Sequence, residues 1–293
     1  SEEEVVKLVK KRWDGIQLMR ATLGDQNIDF QNNGGHELFM QTAHELYEKC
    51  MGQLAHVNSL LNPIFEKDPF VTPSNTFGFR KIHDRYISHI FEGQLDTGLM
   101  METLLEKVRQ SGVMILNAIT VQEFADLDKD VTVKTSAFEF KTKKLLVATN
   151  GFAAQLIDED VKPARAQVLI TKPIPDLHIK GTFHFDEGYY YFRNIDNRIL
   201  FGGGRNLDFK AEETTEFGQT KIVQDQLKTL LQQVILPKTP FEIERSWSGI
   251  MGVGTQKRPI IKQLSTHVFC GVRLGGMGIA IGSAVGKELA DLV

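Results

Sequence analysis

Gly271-Val-Arg-Leu-Gly275-Gly276-Met-Gly278-Ile-Ala-Ile-Gly282-Ser-Ala-Val-Gly286, running on to Val293, is the stretch on which the reading of this chain turns. Thr266–Gly271 reads as a strand, Arg273–Gly278 as a glycine loop, and the remainder as a closing helix. Gly275, Gly276 and Gly278 can take positive φ and let backbone approach a flat ligand without a β-carbon in the way. A helix that begins straight after such a loop aims its unpaired N–H groups and positive dipole end at whatever lies there. Gly278, Gly282, Gly286 and Ala290 recur every four residues, a smooth stripe that predicts close packing of the helix on a sheet. A loop with only a packing role is the alternative, because a glycine motif alone is weak evidence.

Composition narrows the classes. A chain of 293 residues with 42% apolar and 24% charged residues has enough apolar material for one large domain or two ordinary ones. A net charge of −3 gives no basic footprint for nucleic acid. Two cysteines, Cys50 and Cys270, without a CxxC, predict a reducing, cytoplasmic setting and no disulfide framework. No apolar run reaches membrane-spanning length and no signal peptide is recognised. The start at Ser1, with Ser1 and Glu4 spaced as a helix-capping box and no Met, predicts a fragment, processed or truncated chain.

Working inward from the N-terminus, helix 1–23 is followed by strands at Ile28–Phe30 and His36–Met40 and a helix over Thr42–Leu61 stopped by Asn62-Pro63. The aromatic-rich 65–91 stretch holds His83, Arg85 and His89 but no HxH or HExxH spacing, so no metal site is expected. Helix Thr97–Gln110 leads into a strand at Val113–Leu116, the helix-to-strand step of a parallel-sheet crossover. Short strands follow to Thr149, then the turn Asn150-Gly151. Residues 163–246 are rich in strand signals, with a hairpin turn at Asn194–Asn197 and a long helix over Glu212–Ile235. The organisation predicted is an α/β (mixed α+β) fold with a discontinuous domain, 1–25, 92–162 and 246–293, into which 26–91 and 163–245 are inserted as an antiparallel-sheet domain.

An ordered set of segments then resembles one family. Glu92–Asp96 with its helix, the strand at Val121, Val147-Ala-Thr149-Asn150-Gly151, Pro163-Ala-Arg-Ala-Gln167, Tyr189-Tyr-Tyr191-Phe-Arg193, Phe201-Gly-Gly-Gly204, Trp247-Ser-Gly249-Ile250, Thr255 to Ile261, and Gly271–Gly286 are similar to the FAD-dependent oxidoreductases of the D-amino acid oxidase and glycine oxidase superfamily. The resemblance covers most of the chain. It implies a Rossmann-like FAD-binding domain, with an inserted substrate domain, in which a G-x-G-x-x-G unit holds the pyrophosphate. Residue 1 falls after that unit, so the FAD domain is expected to be N-terminally truncated, with FAD retention in question.

The resemblance also implies chemistry: an amine or amino acid loses hydride from the carbon beside nitrogen to flavin N5. Such a reaction asks for positioning and charge stabilisation more than for an acid–base pair, and no catalytic side chain is assigned. The cofactor site expected is Val121, Thr149, Asn150, Gly151, Trp247, Gly249, Gly275, Gly276, Met277, Gly278 and Ile279, with non-covalent FAD. The amides of the 276–279 turn would face the pyrimidine edge of the flavin. For substrate, Tyr189, Tyr191 and Arg193 share one face of a strand, and a guanidinium can grip a carboxylate with a tyrosine hydroxyl closing over it. Arg273 is the second cation. Met251 stands where amino acid oxidases of this type tend to carry a carboxylate-binding arginine, so Arg193 or Arg273 takes that task or the substrate is an amine. An inactive binding or assembly module, and a dehydrogenase passing electrons to a partner other than oxygen, are the competing readings.

Overall fold

Ser1 caps the first helix, α1 (Glu2–Leu23), by accepting a hydrogen bond from the Glu4 amide while the Glu4 carboxylate reaches back. The computed structural model describes residues 1–293. A 3-10 turn at Asp25–Ile28 takes the place of the strand expected there, because Ile28 is fully buried beneath Leu23 and Leu95. Then come β1 (Gly35–Glu37) and α2 (His44–Phe65). Helix α2 passes through Pro63 rather than stopping before it: a proline in the last turn removes few bonds, and Glu66 N–H still closes on the Asn62 carbonyl. Two short strands, β2 (Phe70–Val71) and β3 (Ile87–His89), precede α3 (Thr97–Gln110), whose N-terminus is capped by the Asp96 carboxylate on the Gly98 and Leu99 amides.

The strand expected at Val113–Leu116 is absent. Those residues have no ladder partner, and Val113, Met114 and Leu116 are 55%, 81% and 52% exposed. An antiparallel meander of β4 (Val121–Asp126), β5 (Val131–Thr135) and β6 (Glu139–Thr142) follows, then β7 (Leu145–Val147) and a 3-10 turn at Asn150–Gln155.

Next are β8 (Lys162–Thr171), β9 (Thr182–Phe185), β10 (Tyr190–Ile195) and β11 (Arg198–Gly203). The β10–β11 hairpin turns on Asp196 and Asn197, both at positive φ, which suits the right-handed twist of the flanking strands. The helix expected over 212–235 is shorter: α4 spans Lys221–Leu230 and ends in a π turn at Leu231–Ile235. Its first third is lost because the buried Glu212 carboxylate is held by Arg165, Gln167 and Thr220, which pins that segment to β8. The chain closes with β12 (Ile243–Val253), β13 (Ile260–Gln263), β14 (Val268–Val272) and α5 (Gly278–Asp291).

The largest sheet runs β12-β8-β11-β10-β9-β1-β3-β2, antiparallel except where β1 lies beside β9. It draws its strands from 35–89, 162–203 and 243–253. It also continues past the boundary expected at 246, since β12 stays paired with β8 as far as Val253. One face holds the main core, where Phe183 and Phe192 stack at 4.6 Å and α4 contributes Val223 and Leu227. A smaller sheet, β13-β14-β7, buries Val268, Cys270 and Val272 against Val147 and Val161, with α5 packed on it through Val285 and Leu289. The glycine stripe of α5 does not lie on this sheet. A β-carbon at Gly282 or Gly286 would meet nothing within 4 Å, and Gly278 and Gly282 line a pocket with Met19, Leu23, Met100 and Leu104. The close approach occurs with α1 instead, where a β-carbon on Gly15 would stand 2.3 Å from the Ala280 carbonyl oxygen.

Candidate active site

The face of the large sheet opposite the main core carries the site. Cross-strand partners on a sheet point the same way, and one row of partners crosses it: Trp247, Val168, Gly202, Tyr191, His184 and Glu37. A second row, shifted by two residues, holds Arg193 between Leu200 and Thr182, with Gly35 and His89 beyond. The segment before α3 lies across this second row. The Arg193 guanidinium donates to the Leu95 carbonyl at 2.6 Å, and a β-carbon on Gly35 would run into the Glu92 carboxylate. Burial lowers the Arg193 pKa against the opposing pull of Asp96, Asp196 and Asp29. One arm of the guanidinium is therefore tied down, and the rest has no hydrogen-bond partner in the protein.

Tyr191 shares this face of β10 with Arg193, two residues away. Although 39% of its surface is reachable, protein surrounds the phenol and pushes its pKa up to about 12, so the hydroxyl is a neutral donor. Tyr189 lies just before the strand, at the sheet rim, where its ring packs edge-on against Phe209 at 5.9 Å. Arg245 stacks over Trp247, 5.1 Å from the ring centroid.

The glycine loop joins the same face through β12. Met251 is four residues on from Trp247, and its sulfur lies 3.9 Å from where a Gly276 β-carbon would be. The loop is held by two bonds: Leu274 N–H donates to Asn150 Oδ1 at 3.0 Å, and Gly275 N–H to the Gly252 carbonyl at 2.9 Å. Gly151 packs against Met251 and Ile250 so closely that a β-carbon would stand 2.8 Å from the Met251 carbonyl oxygen. Asn150, Gly151, Met251, Gly252 and the 274–276 turn therefore gather into one cluster, with Thr149 and Gly249 beside it along the chain and Trp247 on the same strand. At its centre the first turn of α5 has no side-chain cap, and no atom lies within 4 Å of a β-carbon built at Gly275. Bare amides at a helix start facing open space form a cradle that suits an electron-rich ring edge or an anion.

Two expected residues lie elsewhere. Arg273 is 8% exposed, and its guanidinium is taken up by Asp160, at 2.6 Å, and the Arg258 carbonyl; it braces the base of the loop instead of facing a substrate. Val121 begins β4 and packs against the smaller core, away from the loop cluster.

The pair missed in the sequence is Glu37 with His184. Burial works against a charge on His184, but the hydrogen bond and charge of Glu37, with Glu92 behind it, outweigh burial and raise the imidazole pKa. Each residue alone is an ordinary strand residue, and only the parallel β1–β9 pairing brings them together.

The sequence model of the FAD-dependent oxidoreductase (DAO) family matches residues 1–292. Comparison with curated protein sequences finds no match. Among solved structures the chain is similar to L-proline dehydrogenase from P. horikoshii (17% identity, 97% of this chain and 78% of that one, TM-score 0.78). It is also similar to glycine oxidase from Bacillus cereus ATCC 14579 (12%, 97% and 80%, TM-score 0.80). A third is iminodiacetate oxidase from Chelativorans sp. BNC1 (18%, 98% and 79%, TM-score 0.76). At these identities the likeness is one of fold. No helix is long and apolar enough to cross a membrane.

Proposed function

The chain belongs to the FAD-dependent oxidoreductase family, and from that premise we propose that it oxidises the C–N bond of a small amine or amino acid in the cleft between the glycine loop and the Tyr191 row. The observation that carries this reading is the continuity of β12. Trp247 of the aromatic row and Met251 beside Gly276 share one strand face, so β12 links the uncapped turn of α5 to the sheet face that carries Tyr191 and Arg193.

Bound in that cradle, FAD supplies the two-electron acceptor for hydride loss from the carbon beside a neutral nitrogen. Gly276, Gly278 and Ile279 present the amides, and Asn150, Gly151 and Gly252 hold them in place. Preorganised donors of this kind cost no rearrangement during reaction, and removing one from other enzymes costs about 3 kcal/mol. FAD is held without a covalent bond in this reading: Cys270 is fully buried in β14 and Cys50 lies on α2, neither in the loop. On the protein's side, 1–25, 92–162 and 246–293 serve the cofactor in this reading, β12 is shared between the two tasks, and the rest of the large sheet serves the substrate.

Arg193 and Tyr191 orient the substrate. The free part of the guanidinium grips a carboxylate, and the Tyr191 hydroxyl, neutral through the working pH range, donates to it. Met251 offers no charge for that purpose.

The test is spectral. Protein reconstituted with FAD and kept free of oxygen is mixed with a panel of primary and secondary amines and amino acids. Bleaching of the flavin band by at least one of them is expected; a flavin spectrum indifferent to the whole panel overturns the reading. For a carboxylate substrate, Arg193→Ala should raise KM about 10- to 100-fold with FAD affinity kept. An unchanged KM removes Arg193 from the site.

A further inference from the structure

We propose that His184, oriented by Glu37, is the base that takes the proton from the substrate's ammonium group before its C–N bond is oxidised. The inference rests on the function proposed above and deepens it. An amine enters at neutral pH largely protonated, and its neighbouring carbon can release hydride only once nitrogen has its lone pair back. Something in the cleft must take that proton, and neither Tyr191 nor Arg193 is fitted to do so.

The geometry singles out His184. It is the cross-strand partner of Tyr191 on β10 and of Glu37 on β1, so its side chain stands on the same sheet face as Tyr191, one strand away. The Glu37 carboxylate holds Nδ1. That fixes the tautomer with the proton on Nδ1 and leaves the Nε2 lone pair free, the arrangement in which a carboxylate makes an imidazole a general base. Nε2 has no hydrogen-bond partner in the protein, and 35% of the side chain is open. His36, on the other face of β1, is built differently. Its Nδ1 pairs with the Ser88 hydroxyl at 2.7 Å, its Nε2 is buried without a partner, and Gly34 and Gly181 close around the ring. It is a core residue; His184 is a cleft residue.

The charges around the pair come from several elements. Glu37 lies on β1, Glu92 on the segment before α3, and Arg12 on α1 faces Glu92. Cys50 on α2 stands near Glu37, the neutral Tyr191 is on β10, and His36 on β1 is kept uncharged by burial. Negative charge dominates close to the imidazole, so the imidazolium formed on proton uptake is stabilised. In the step itself an N–H bond of the substrate ammonium breaks and an Nε2–H bond forms. The electron pair of the broken bond stays on the amine nitrogen, and Glu37 remains ionised opposite the new cation. Glu37 acts through His184 and is a positioning residue.

Two readouts test this on the FAD-loaded protein. In a 15N-histidine NMR titration His184 should titrate above 6.5, the ordinary histidine value, and Glu37→Gln should move that titration down. The acidic limb of the kcat/KM profile for an amine substrate should fall at the same pH and move with it in Glu37→Gln. His184→Gln should lower kcat/KM at neutral pH about 100-fold or more, the span of general acid–base catalysis, recover as rising pH deprotonates the free amine, and leave FAD affinity unchanged. If amines are oxidised while His184→Gln and Glu37→Gln keep both rate and limb, the proposal is overturned and the function stands. Should His184→Gln misfold, Glu37→Gln alone decides: an unmoved titration or an unmoved limb overturns the proposal. Absence of any amine oxidation, seen in the spectral panel, removes both.

Discussion

The ring of Tyr191 fills the space that a side chain at Gly202 would need: a β-carbon there would stand 2.8 Å from Tyr191 Cε2 and 2.5 Å from Val168 Cγ1. The two residues are cross-strand partners, and the missing side chain on one strand sets where the phenol on the other can lie. Gly202→Ala is therefore expected to push Tyr191 off its position. Displacement of a positioning group by about 1 Å can cost on the order of 100-fold in rate. A loss of 10-fold or more in kcat/KM with FAD affinity unchanged is the expected outcome, and unaltered kinetics would show that Tyr191 does not position the substrate.

Arg273 should behave oppositely to Arg193. Its guanidinium bonds to Asp160 and to the Arg258 carbonyl, and its backbone lies at φ 65°. Arg273→Met removes charge-assisted bonds from a buried site, which costs about 2 kcal/mol. Urea unfolding should register that loss, while KM for the substrate stays within twofold in protein that is still folded. A large KM change without destabilisation would return Arg273 to the substrate site.

His36 gives the fold a dependence on pH. Burial pushes its pKa down to about 4, against 6.5 ordinarily. The unfolded chain thus takes up the proton first, so this contribution to stability is complete above pH 6.5 and is lost as pH falls toward 4. The full span is on the order of 3 kcal/mol. Unfolding free energies measured between pH 7 and 4 should fall more steeply in the parent protein than in His36→Gln; equal slopes would locate the acid sensitivity elsewhere.

Gly286 occupies an exposed helical position where a β-carbon would touch nothing. Alanine is preferred to glycine in a helix interior by about 1 kcal/mol. Gly286→Ala is expected to raise the unfolding free energy by roughly that amount. Destabilisation would mean that another group lies against the stripe.

The parts of the site legible in the sequence were those whose meaning is local. Asn150-Gly151, Trp247–Met251 and the 275–279 turn each carry their backbone chemistry within a few residues, and the fold brings them together. Tyr191 and Arg193 share a face by simple alternation. Glu37 and His184 are 147 residues apart, and only the β1–β9 register joins them, so no window along the chain could suggest the pair. Arg273 was misplaced for a related reason. A cation beside a glycine loop suggests a ligand, whereas its actual partner, Asp160, lies 113 residues upstream. The same holds for the lost start of the 212–235 helix, where the side-chain network of Glu212 outweighs a good apolar period.

The two bonds that fix the glycine loop join residue 274 to residue 150 and residue 275 to residue 252. The first of them spans 124 residues, so the chain entropy of closing a long loop must be overcome before it contributes anything. The proposed cradle is thus a product of the finished fold, because the last forty residues carry its amides but not residue 150, which holds them. A newly made chain acquires its shape first and its means of holding a ligand last, which makes ligand retention a sensitive reporter of whether folding has run to completion.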